Sequence, residues 1–75
     1  MMPLSSVSQG ARATLQILPA HPVLVQRLQA LGVQPGAVIE VVRSGKPGGI
    51  LHLACGFLEF MLRYEYAHEM EVGPA

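Results

Sequence analysis

Leu28-Gln29-Ala30-Leu31-Gly32-Val33-Gln34-Pro35-Gly36-Ala37-Val38-Ile39-Glu40-Val41-Val42 ends a helix, makes a tight turn and begins a β-strand. Gly32 stands where a helix C-terminus favours positive φ, a region that a side chain's Cβ makes costly. Pro35-Gly36 suits the two central positions of a type II turn: the ring fixes φ near −65° at the first, and glycine takes positive φ at the second. Val38 to Val42 is rich in β-branched residues and interrupted only by Glu40, the pattern of a mostly buried strand. Nothing in the stretch is catalytic. It is architecture, and it points to a small binding module.

Working outward, Ala11 to Leu18 alternates, with Ala11, Ala13, Leu15 and Ile17 facing one way and Arg12, Thr14 and Gln16 the other. Pro19 stops that strand, and Pro22 suits the first helical position, where its missing N–H costs nothing. Leu24, Leu28 and Leu31 form the buried stripe of the helix, and Gln26, Arg27 and Gln29 fall on wetter faces. After the strand Val38–Arg43, the cluster Ser44-Gly45-Lys46-Pro47-Gly48-Gly49 reads as a loop between paired strands. Further strands are expected over Ile50–Cys55 and Leu58–Leu62, then a single helical turn over Arg63–Ala67 and a brief strand over Glu69–Val72. Residues 1–9 read as a flexible leader, 10–72 as the domain and 73–75 as a tail. The expected fold is mainly β: a small barrel of about five strands, with one short helix between strands 1 and 2.

Seventy-five residues make one domain, of a size that buries only about 60% of its unfolded surface. The single cysteine, Cys55, excludes an internal disulfide, and a reduced, cytoplasmic setting is the default. Net charge is zero, so there is no electrostatic footprint for nucleic acid or an anionic membrane. Uncharged apolar runs fall far short of the roughly 18 residues a spanning helix needs, and the N-terminal stretch lacks the basic and apolar regions of a signal peptide. Charged residues are only 13% and hydrophobic ones 51%, where soluble domains average roughly 25% charged. A core this small cannot hold that much apolar surface, and the exposed remainder marks a contact site.

The order strand, short helix ending Arg27-Leu28-x-x-Leu31-Gly32-x-x-Pro35-Gly36-x-x-Ile39-x-Val41, hairpin, Gly56, then Leu62-Arg63-x-x-x-Ala67-x-x-Met70-x-Val72 resembles FeoA. The resemblance covers about residues 10 to 72 and implies an SH3-like barrel linked to bacterial ferrous iron uptake. The module is also similar to the C-terminal domain of diphtheria-toxin-repressor-type metalloregulators. It implies a partner, the cytoplasmic G-protein domain of the FeoB transporter, with no nucleic acid and no membrane insertion, and it allows self-association. No cofactor is required by it, though weak binding of Fe²⁺, Mn²⁺ or Zn²⁺ is compatible with it.

Candidate ligands for such an ion are His21, His52, His68 and Cys55. The odd offset between His52 and Cys55 sends them to opposite faces of a strand, and Cys55 reads most simply as a small core residue. Glu65 and His68 share a face only if their segment is helical, which makes a weak surface site at best. In the related repressors, polar residues at the start of the equivalent helix supply metal ligands. Aligning Gly36 with their turn glycine puts His21 and Leu24 there, and leucine cannot ligate, so His21 is the one metal candidate. Gly45-Lys46-Pro47 lacks the G-x-x-x-x-G-K-[ST] pattern of a phosphate loop, and no serine sits in a nucleophile–base arrangement. Tyr64 and Tyr66 form too thin an aromatic pair for a proline-peptide groove. The expected partner surface is the helix beside its leucine stripe: Val23 and Val25 form an apolar centre, and Arg27 and Lys46 a polar rim. No enzyme activity is expected.

Overall fold

A computed structural model describes residues 1–45 and 48–75 of the chain. Helix α1 (Pro22–Ala30) ends as its glycine requires. Gly32 has φ +85°, the Val33 amide donates to the Leu28 carbonyl at 2.9 Å, and the Gly32 amide to that of Gln29 at 3.0 Å. These two bonds form the Schellman closure, and its usual hydrophobic contact is supplied by Leu28 and Val33, both buried in the core. Four residues on, the Ala37 amide donates to the Gln34 carbonyl at 2.9 Å. Gly36 takes φ +96°, which closes the turn that launches the next strand.

The described residues form six strands: β1 (Met2–Pro3), β2 (Arg12–Ile17), β3 (Val38–Arg43), β4 (Ile50–Cys55), β5 (Leu58–Arg63) and β6 (Glu71–Pro74). A second helix, α2 (Tyr64–Glu69), connects the last two. All neighbouring strands are antiparallel, in the order β1-β6-β2-β3-β4-β5. Six strands laid flat would make a slab about 24 Å wide and one layer thick. The chain instead measures 25 × 24 × 24 Å, so the sheet curls around its own core as a barrel. Leu15, Ile39, Val41, Leu51, Leu53 and Val72 line the interior from the strands, and Leu28 closes it from α1. No helix of the described residues is long and apolar enough to cross a membrane.

The first nine residues are not a loose leader. Met2 and Pro3 pair with Val72 and Glu71, and the Leu4 amide donates to the Met70 carbonyl at 2.9 Å. Leu4 itself is fully buried, with Val7 nearly so. Apolar burial tethers a segment whose composition alone reads as frayed. At the other end, Gly73 and Pro74 pair with Thr14 and Ala13 as part of β6 rather than forming a tail. The last strand accordingly begins two residues later than expected, and Glu69 belongs to α2.

Ile17 departs from the alternation. Leu15 pairs with Val72 but Ile17 with the adjacent Glu71, so Gln16 is an extra residue in β2. The bulge turns Ile17 outward, 43% exposed, and brings Leu18 against the core instead.

Candidate functional site

The start of α1 and the end of α2 meet at one polar contact. His21 is the N-cap residue of α1: its backbone is extended, and its carbonyl accepts the first helical bond from the Val25 amide at 2.9 Å. Its side chain does not cap the helix and reaches across to α2 instead. There its Nε2 lies 2.9 Å from Glu69 Oε2, and its ring meets the edge of Tyr66 at 4.9 Å between centroids. The other carboxylate oxygen of Glu69 accepts the Ala20 amide at 3.2 Å. The bond from His21, helped by that from the Ala20 amide, holds the Glu69 carboxyl below its usual pKa.

In a neutral ring, donation from Nε2 to Glu69 leaves Nδ1 as the atom with a free lone pair. A carboxylate accepting the second ring N–H is how metal-binding histidines are commonly oriented. One oriented nitrogen is not a coordination set. Leu24, the neighbouring position, packs partly buried against the core. His68 sits on α2 but its Nδ1 lies 3.3 Å from the Ser5 hydroxyl, and Glu65 turns to Arg63 at 3.8 Å. His52 pairs with Glu59 on the outer face of the sheet. Cys55 is half-buried, its thiol donating to the Gly32 carbonyl at 3.8 Å. Among the described residues no three His, Cys, Asp or Glu side chains converge on a metal position.

The tyrosines do not build a groove together. The Tyr64 hydroxyl donates to the Gly45 carbonyl at 2.8 Å, tying α2 to the loop after β3, while Tyr66 is engaged with His21. Both pack partly buried against the core.

Of the expected contact residues on α1, Val23 is 64% exposed, Arg27 is exposed and Val25 half-buried. Lys46 lies outside the described residues. Apolar surface is thus spare on the helix, but more of it lies elsewhere: Ile50, Phe57, Leu58 and Met61 are all exposed on the β4–β5 hairpin.

A curled antiparallel sheet with one helix between β2 and β3, closed at its end by a short second helix, is the arrangement that known proteins share. The family model of the FeoA domain matches residues 2–74. The chain belongs to the FeoA domain family. This family is associated with ferrous iron transport. The FeoA protein of Chlorobium tepidum, solved by NMR, is similar with a TM-score of 0.89 and 29% identity, over 97% of this chain and 70% of that one. The FeoA of Stenotrophomonas maltophilia, solved with zinc and described as a procaryotic SH3 domain protein, gives a TM-score of 0.79 and 26% identity over 96% and 89%. A manganese-dependent transcriptional repressor shares the fold at 16% identity, TM-score 0.84, over 97% of this chain and 41% of the repressor. These likenesses establish the SH3-like barrel. Among curated proteins, a ribonuclease Z of Geobacillus kaustophilus is 49% identical over 39 residues. That stretch is 52% of this FeoA chain but only 12% of the nuclease.

Sequence reasoning overlooked Glu69 and Tyr66 as the surroundings of His21. Glu69 lies 48 positions from His21, and only the packing of α2 against the start of α1 brings the two together.

Proposed function

We propose that this FeoA chain is a non-enzymatic accessory protein of bacterial ferrous iron import, working in the cytoplasm by binding the G-protein domain of a FeoB-type transporter. The observation that carries the reading is the match to the FeoA domain over residues 2–74. Its physical support is a low-charge surface with an exposed valine on α1 beside Arg27. Binding would bias the transporter only through unequal affinity for its nucleotide states. On this reading the docking face is Val23 and Val25, with Arg27 at its rim. Pull-down against the isolated cytoplasmic domain, in apo, GDP and GTP-analogue states, tests it: capture in at least one state supports the reading, and capture in none removes it.

The oriented Nδ1 of His21 favours a second reading, weak transition-ion binding there. The donor set fits an exchangeable ion rather than a resident one. Isothermal titration with Fe²⁺, Mn²⁺ and Zn²⁺ tests it: stoichiometric binding that is lost in His21→Ala supports the reading, and millimolar or absent binding counts against it. Binding unaffected by His21→Ala would place the ion elsewhere.

A further inference from the structure

The sheet has two ends, and they are built differently. At one, β1 is two residues long and contains Pro3, the usual ways of blunting an edge. At the other, β5 runs for six residues, Leu58 to Arg63, with neither proline nor lysine. Its flank is apolar: Met61 is 64% exposed, Leu58 47%, and Phe57 at the hairpin tip fully so. Beyond β4, no strand among the described residues pairs with it.

Hairpin geometry determines which β5 groups face outward. The loop between Cys55 and Leu58 is the two residues Gly56-Phe57, with Gly56 at φ +61° as a type II′ turn needs. Such a loop closes on a pair that exchanges both backbone bonds, and bonded and non-bonded pairs then alternate. Leu58, Phe60 and Leu62 therefore bond to Cys55, Leu53 and Leu51, and the N–H and C=O groups of Glu59, Met61 and Arg63 point out of the sheet.

We propose that β5 pairs antiparallel with β5 of a second copy of this chain, on a two-fold axis at Met61. An added strand bonds to this edge only where it presents its own outward-facing groups, so odd-numbered residues must oppose odd-numbered ones. Centring on Met61 sets Glu59 opposite Arg63 twice, Met61 opposite Met61, and Phe60 opposite Leu62 on the core side. Centring on Phe60 sets Glu59 against Met61 and runs Arg63 past the strand end; centring on Leu62 sets Met61 against Arg63. Only the Met61 register uses all three outward-facing residues and opposes unlike charges across both flanks. Within one copy, Glu59 pairs with His52 and Arg63 with Glu65. Three of those four side chains are more than 60% exposed, and such surface pairs contribute little enough to be exchanged.

The contact is narrow, so the dimer is weak and concentration-dependent. Sedimentation equilibrium of the whole chain between about 10 µM and 1 mM should show monomer and dimer in exchange. Over the same range, NMR hydrogen exchange should slow at the Glu59, Met61 and Arg63 amides and stay constant at Phe60 and Leu62. Glu59→Arg and Arg63→Glu each place two like-charge pairs across the axis, and each should weaken self-association at least tenfold. Mixed one to one they should recover it, because every cross-copy pair is again opposite in sign. Unchanged thermal unfolding of each variant separates loss of pairing from loss of fold. A chain monomeric at about 1 mM, or a mixture no better than its components, overturns the proposal. So does protection of these amides that appears only when a different protein is added.

Discussion

The imidazole of His21 and the carboxylate of Glu69 meet at 2.9 Å, joining the N-cap residue of one helix to the last residue of another. Because Glu69 also accepts the Ala20 amide, a single carboxylate fixes both the side chain and the chain path entering α1. Its pKa is lowered in the folded protein, so the unfolded state binds the proton more tightly. The stability it contributes is complete above the ordinary value of 4.5 and is lost as pH falls through the lower folded value. Urea denaturation of the parent and Glu69→Gln should differ steadily near pH 6 and converge on acidification below 4.5. A gap that widens toward low pH would reverse the assignment.

Gly32 and Gly36 allow a clean test of backbone conformation. A Cβ built at either position meets nothing within 4 Å, so alanine there adds strain without a clash. Each substitution should cost about 1 kcal/mol in chemical denaturation. Two variants as stable as the parent would contradict the helix–turn–strand geometry.

Leu4 is fully buried in a segment that reads as a loose leader. Leu4→Ala should cost about 2–5 kcal/mol, the range for truncating a leucine inside a core. A frayed segment would show no change in the denaturation midpoint.

On α1, Val23→Glu should leave the circular dichroism and melting temperature near parental values, since that side chain is mostly in solvent. It should abolish capture of the transporter domain, because the interface would desolvate an unmatched charge. Val25→Glu should also abolish capture, with a modest loss of stability from its half-buried position. Leu28→Glu, at a position 2% exposed, should fail to fold. Parental binding by folded Val23→Glu and Val25→Glu would remove the helix as the docking face.

The parts of this fold legible in sequence are those fixed by local chemistry. Gly32 and the Pro35-Gly36 pair constrain φ by themselves, so the helix end and the turn follow from residue types alone. The strands from Val38, Ile50 and Leu58 follow from their side-chain patterns. The burial of Leu4 is different in kind, since its backbone partner, Met70, comes from the far end of the chain. The surroundings of His21 were hidden for the same reason. Composition announced an apolar surplus without saying where it would surface, and more of it emerged on the β4–β5 hairpin than on α1.

The extra residue in β2 acts as a phase shifter. Ahead of Gln16 the strand presents odd-numbered side chains to the interior, Ala13 and Leu15; after it the even-numbered Leu18 takes over. One strand thereby serves two walls of the barrel that meet at an angle, and the corner is made by counting rather than by a kink in a covalent bond. Were the same residues to run without the bulge, strict alternation would aim Ile17 at the core and Leu18 at water, with every side chain chemically unchanged.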